Sequence, residues 1–453
     1  MSTKVSNPIL TVNTFVNKFL IYYRLIDKIV PDNELFTKAK KELIDVMHSM
    51  SGLLEEQYIE IFIAHDIIFY YNELIEMGPA DLSFKSLCFL ESVTELPNDE
   101  TIIKKLAEEC VKHDVYGNCL KQLEFAKERR LFFETTLFHV ISNLLKLQSY
   151  KIADCDGDYY LLGWLVTRLD ELPLTDVRKS WIVCMMLTLT KDNPRGLEEF
   201  GKMNGIAPSM IDLAHYVFAD ISDLFYLNVI FNLLEAVLPY HENKKCFVRE
   251  HGVQYLLSLV EGHQYDSYIA LKIFNVALCG QEGIEVCKEV FEYTGLEIFF
   301  SFFMMPFDET LLEGVDYCER DFDFYMLHII YCLIRASRCL NKKKIFRMFS
   351  NSKRKFDKIL DLHKKYIELL KLTRDESFWS CLQFASGILL ELALCRSDIK
   401  EKLNEYLSRN DMTKEDITDC VPRLVNNLAQ MSYEDDDWVR EEQMRLIHLW
   451  DSL

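Results

Sequence analysis

Glycine and proline are scarce. The 453-residue chain has 15 Gly and 10 Pro, about 5.5% together against roughly 12% in average usage. A sheet-rich or nucleotide-binding fold needs more turn and loop glycines, so the shortage points to long helices joined by short loops. Positive charge is also short. Lys and Arg number 51 against 71 Asp and Glu, a net charge of −20. That argues against a phosphate-backbone binder, whose footprint is basic, and no direct contact with nucleic acid is expected. The balance suits a surface that meets basic partners. The 14 cysteines include no Cys-x-x-Cys pair and are too dilute for a disulfide scaffold. Cys184, Cys279, Cys332 and Cys395 sit in apolar helical stretches, where thiols pack as small hydrophobes, so a reducing compartment is expected. The first residues lack the apolar core of a signal peptide. The longest apolar stretch, Leu296 to Phe307, is too short to span a bilayer. Neither secretion nor membrane insertion is expected.

Enzyme signatures are missing too. The chain has no His-Glu-x-x-His, no phosphate-binding glycine loop, no Gly-x-Ser-x-Gly elbow and no Rossmann fingerprint. Cys110, His113 and Cys119 could approach one another as zinc ligands, but a fourth ligand is not visible, and Cys110 with His113 could serve a helical hydrolase. Asp154, Asp156 and Asp158 look like the start of a calcium loop, yet the twelfth position is Leu165 rather than Glu. His251 has no nucleophile beside it. No catalytic residue, metal or cofactor is expected.

What is present is helical periodicity. Tyr268 to Leu278 carries apolar residues three and four apart, and similar stretches recur from Leu35 to Cys395. No run alternates long enough to be a strand. A repeat underlies the helices: a short polar turn, an apolar anchor, then a buried helix. The anchors Ile67, Val115, Leu161, Ile206, Val253 and Leu296 are 43 to 48 residues apart. That period matches armadillo or HEAT repeats. Gly205, Gly252 and Gly295 suit tight left-handed junctions between helices. The expected fold is all-α: an armadillo/HEAT-like right-handed superhelical solenoid with helical caps at both ends. Residues 1–60 read as an N-terminal cap, 61–310 as armadillo-like repeats, and 311–453 as degenerate repeats and a C-terminal cap.

Solenoids of this kind bind extended peptides on the surface lined by their third helices. Register places Glu91, Asn143, Thr188, Glu235 and Asn275 at comparable positions there. Their polar groups could hydrogen-bond a peptide backbone, and the glutamates could pair with Lys or Arg. No Trp-x-x-x-Asn ladder accompanies them, which disfavours an importin-type groove. The segment from Asp308 to Asp323 is acidic, with Asp308, Glu309, Glu313, Asp316, Glu319, Asp321 and Asp323. It reads either as a solvated loop or as a docking surface for a basic segment. Glu434 to Asp437 is a second acidic turn. Opposite in sign, Lys342–Lys344 and Lys353–Lys355 could form a split nuclear-localisation signal.

The chain resembles the nuclear catenin-beta-like family. The residues that carry this are Pro31-Asp32-Asn33 with Leu43 to His48, Leu161 to Leu169, Asp192-Asn193 leading to Asn204-Gly205-Ile206, Phe247 to Phe303, Leu360 to Tyr366, and Arg440 to Leu453. They fall in order from about residue 14 onward. The resemblance implies a nuclear, non-enzymatic scaffold of the spliceosome-associated NineTeen complex. It implies binding of basic, localisation-signal-like segments of splicing factors, notably a Myb-domain component of that complex, and a capacity for self-association. Two departures stand out. Family members carry a long charged N-terminal extension with a basic import signal, and this chain starts almost at its first helix. Its 308–323 loop is acidic where the family's is commonly basic. Import is therefore expected to depend on a partner or on the internal basic pair. The competing reading is an armadillo adaptor for nuclear import or cytoplasmic scaffolding with no splicing role.

Overall fold

The computed structural model describes residues 8–28, 34–52, 55–95, 97, 99–126, 131–148, 156–219, 224–312, 317–340, 343–351, 353–420, 422–426 and 444–445. Among these every regular element is helical. The chain divides into two units, residues 1–164 and 165–453.

The first unit opens with α1 (Pro8–Lys28) and α2 (Glu34–Ser51). Two helical triplets follow: α3 (Glu56–Ala64), α4 (Ile67–Met77) and α5 (Ala80–Glu95), then α6 (Glu100–Lys112), α7 (Val115–Ala126) and α8 (Leu131–Gln148). The boundary between the units falls inside α9 (Asp156–Glu171). The second unit continues with α10 (Arg178–Thr190) and four triplets. These are α11 (Pro194–Lys202), α12 (Ile206–Ala219) and α13 (Leu224–Val237); α14 (His241–Arg249), α15 (Gly252–Glu261) and α16 (Tyr265–Ala277); α17 (Gly283–Glu292), α18 (Gly295–Met304) and α19 (Glu319–Cys339); and α20 (Lys344–Asn351), α21 (Lys353–Thr373) and α22 (Trp379–Cys395). Two shorter helices close it, α23 (Ser397–Arg409) and α24 (Glu415–Thr418). In each unit the last helix of one triplet packs on the last helix of the next: α5 on α8, and α10, α13, α16, α19 and α22 in succession. This nearest-neighbour packing is what a helical repeat requires to bury its apolar faces.

The repeat is written most clearly in the backbone. In five of the six triplets the turn between first and second helices holds one left-handed residue among those described: Asp66, Asp114, Asn204, His251 and Thr294, with φ from 49° to 61°. In four of them the amide closes the same one-turn bond, from Asp66 N to Ile63 O, Asp114 N to Val111 O, Asn204 N to Gly201 O and His251 N to Val248 O, at 3.0–3.1 Å. Asp, Asn and His tolerate this region better than other side chains. The glycines do not supply the left-handed residue, contrary to the sequence reading; among the described glycines only Gly280 has positive φ. Their role is room. A Cβ on Gly205 would lie 2.4 Å from the Phe200 ring, one on Gly252 2.1 Å from the Phe247 ring, and one on Gly295 2.7 Å from Val290. In the first two repeats Ile67 and Val115 follow the left-handed residue and are fully buried, so the turn itself does not demand glycine.

One helix is longer and more apolar than the sequence reading allowed. The window Glu376–Cys395 has mean hydropathy 1.5 and is long enough to cross a bilayer, but 72% of it is buried inside the fold. It is a core helix: every residue from Cys381 to Ala393 is buried, against α19, α21 and α23. Its Glu391 is fully buried and holds two guanidinium groups, Arg338 at 2.8 Å and Arg445 at 2.6 Å.

Candidate partner-binding surface

In the first unit the facing helices α5 and α8 are joined by two polar rungs. Glu91 pairs with His139. One turn on, Asn143 Nδ2 donates to Thr94 Oγ1 at 3.2 Å. Glu91 and His139 are each about a quarter exposed, so the rung lies at the surface. Sequence register found Glu91 and Asn143 but missed their partners. His139 is 48 residues from Glu91 and Thr94 is 49 from Asn143, which is one repeat. The period itself was the signal that could have found them.

In the second unit the equivalent rung is Glu235 on α13 with Lys272 on α16, at 2.7 Å and about one-third exposed. It borders a cleft of about 570 Å³ that also contains Lys191, Asp192 and Asn232. Charge in this cleft is balanced, two lysines against two carboxylates. A basic segment docking here would exchange for Lys272 on Glu235, not meet a bare carboxylate. Thr188 is exposed, and its hydroxyl donates to the Cys184 carbonyl of its own helix at 3.0 Å.

Asn275 is elsewhere. It is 5% exposed, and its Oδ1 accepts from His328 Nδ1 at 2.6 Å. Burial holds the His328 imidazole neutral, with its pKa pushed down to about 3. Nδ1 therefore carries the proton, and Nε2 accepts from the Cys332 thiol at 3.2 Å. This is an internal network between α16 and α19, not a side chain offered to a partner.

The acidic segment also divides. Asp308 and Glu309 are exposed; Asp308 Oδ1 takes the Thr310 amide at 3.0 Å and hydroxyl at 2.6 Å. Asp321 closes the start of α19, accepting the Cys318 amide at 3.0 Å with Arg320 at 3.3 Å. Asp323 is only 4% exposed: it accepts from Tyr366 OH at 2.7 Å and pairs with Lys365 at 2.9 Å. Asp323 is therefore part of the α19–α21 packing and not of a docking surface. Glu313, Asp316 and the Glu434–Asp437 turn lie outside the described residues.

Cys110 and Cys119, the cysteines of the metal and hydrolase alternatives, are both buried. Burial pushes the Cys110 thiol up to about 12 and raises Cys119 further. His113 instead lies beside Glu109 and Asp66, within 4.8 Å of one another, with the Lys112 ammonium 3.1 Å from Glu109 and 3.6 Å from Asp66. Asp154, with the side chains of Asp156 and Asp158, lies outside what the structure describes.

The sequence profile of the family described as "Catenin-beta-like, Arm-motif containing nuclear" matches residues 34–378. The chain belongs to this family. It is 21% identical over 359 residues to Beta-catenin-like protein 1 of Mus musculus, and 21% identical over 356 residues to that of Homo sapiens. Each alignment takes in 76% of this chain and 62% of the relative, so the chain spans less than two-thirds of their length. Among solved structures it is similar to a chain from work on a phosphorylation switch controlling the interaction between cadherin and beta-catenin. That match has a TM-score of 0.63 at 10% identity, covering 99% of this chain and 88% of the other. An engineered protein matches with a TM-score of 0.53 at 11% identity, over 99% and 97% of the two chains. At such identities these structures show the fold alone, and the fold is the armadillo one. The catenin-beta-like family is described as nuclear, and its armadillo architecture is that of a protein-binding scaffold.

Proposed function

We propose that this catenin-beta-like chain is a non-enzymatic scaffold of the NineTeen complex in pre-mRNA splicing, working in the nucleus. In this reading it holds basic segments of spliceosomal proteins, among them a Myb-domain component of that complex. The observation that carries the reading is family membership across residues 34–378. The rungs Glu91–His139 and Glu235–Lys272 supply the chemistry, because each sets a carboxylate at the edge of a third helix. An incoming Lys or Arg would make charge-assisted hydrogen bonds there, aided by a chain of net charge −20. Asp308 and Glu309 add exposed negative charge. Residues Asn275 and Asp323 drop out of the surface because both are internal. Self-association is consistent with this role and belongs to the same proposal. The alternative remains an armadillo adaptor for import, or a cytoplasmic scaffold.

The test is fluorescence anisotropy with labelled basic peptides of the Myb-domain component. Binding should weaken as salt rises. Glu91→Lys with Glu235→Lys should weaken it further, and the Gln variants less so. Affinity unchanged after both reversals would remove this surface from the account.

A further inference from the structure

A second surface carries the opposite charge. The end of α19, the start of α20 and the end of α22 enclose a cleft of about 490 Å³ lined by Ser337, Arg338, Lys343, Phe346, Arg347, Cys395 and Arg396. Four cations converge on it in a chain with 20 more carboxylates than cations. Two of them are held by the fold. Arg338 is fixed by the buried Glu391 at 2.8 Å and by the Cys395 sulfur at 3.3 Å. Arg396 is fixed by Asp398 at 2.8 Å. The other two, Lys343 and Arg347, are exposed and four residues apart, so they share one face of the α20 start. Among the described residues neither has an ion-pair partner. The neighbouring Lys344 does not share this state; it is bound to Glu297 at 2.7 Å. Nor does Lys355, whose ammonium sits 4.7 Å over the Phe300 ring.

With Glu391 and Asp398 already engaged by arginines, Lys343 and Arg347 leave two positive charges uncompensated at the cleft. That excess matches a phosphorylated side chain, which carries about −1.5 to −2 at neutral pH and offers three acceptor oxygens. Guanidinium groups fixed in advance suit such a ligand, since little side-chain order is lost on binding. Phe346 gives the cleft one apolar wall, fitting a peptide better than a free ion. We propose that this cleft binds a phosphoserine- or phosphothreonine-bearing segment of a partner protein, at a site separate from the rungs that would take basic segments. Lys343 then acts as part of a receptor for negative charge and not as part of an import signal.

The experiment presents the full chain, immobilised, with degenerate peptide libraries centred on phosphoserine, on serine and on glutamate. The phosphoserine library should be retained at least about tenfold over the other two, and Lys343→Glu/Arg347→Glu should abolish that preference. Both side chains are exposed, so the variant should keep the wild-type melting curve, which is measured alongside. No preference for phosphoserine, equal retention of the glutamate library, or a preference that survives in the double variant would each overturn the proposal.

Discussion

Lys179 and Asp212 form a buried pair whose disruption has a definite size. Their side chains are 4% and 5% exposed. The Lys179 ammonium, on α10, donates to both oxygens of Asp212 on α12, each at 2.9 Å, and to the Leu169 carbonyl at 2.8 Å. Asp212 also accepts from Tyr226 OH on α13. One pair thus ties three helices at the start of the second unit's ladder. In Lys179→Met the carboxylate stays buried with only the tyrosine. In Asp212→Leu the ammonium stays with a lone carbonyl. Removing one partner of such a pair costs about 3–5 kcal/mol, a large part of the 5–15 kcal/mol of a typical fold. A cavity of about 190 Å³ beside Asp212 is lined by Leu174, Leu227 and Ile230 as well as Thr175, Tyr216 and Tyr226, so it gives the orphaned carboxylate little polar company. The Lys179→Met cost should therefore stay within that range, at about 3–5 kcal/mol. Replacing both by Met and Leu removes the buried charges together and should recover most of the loss. Urea unfolding of wild type, the two single variants and the double variant gives the coupling directly. Single variants losing less than about 1 kcal/mol, or a double variant as unstable as the sum of both, would refute the reasoning.

Two further predictions concern the repeat turns and pH. Gly252→Ala should cost about 1–3 kcal/mol by overpacking, because the new Cβ meets the Phe247 ring at 2.1 Å. Gly52→Ala, whose nearest neighbour is 3.6 Å away, should stay within about 0.5 kcal/mol; urea midpoints compare the two. Burial depresses His328 to about 3 and His363 to about 4. Below about pH 6.5 the unfolded chain gains protons that the folded chain refuses, so stability falls as pH drops through that window and is flat above it. Each histidine contributes at most about 1.4 kcal/mol per pH unit. His328→Gln should flatten the dependence of the urea midpoint between pH 6.5 and 5, and an unaltered slope would contradict a buried neutral imidazole.

The repeat was legible in the sequence because its turn has a local cause. A left-handed residue, a small or apolar follower and a buried helix are all set within a few positions, as at His251-Gly252-Val253. The reason for the glycine was not legible. It lies in the Phe247 ring, and chain position alone does not say whether a glycine is needed for its φ or for space. The surface was legible only by halves. Glu91, Asn143 and Glu235 do sit on facing helices, but what each touches comes from the next repeat. Asn275 occupies the same register and is internal because His328, 53 residues on, takes its oxygen. Asp323 looked like one more charge in an acidic loop. It lies one turn inside α19, where Lys365 and Tyr366 of α21 meet it. Local charge density records none of this.

The central claim, a splicing scaffold, is tested most directly by affinity purification of the tagged protein from its own cells, with mass spectrometry of the co-purifying proteins. The account predicts recovery of NineTeen-complex components, the Myb-domain protein among them, in amounts that fall as the wash salt rises. Their consistent absence, with tubulin, membrane receptors or an import carrier recovered instead, would contradict it.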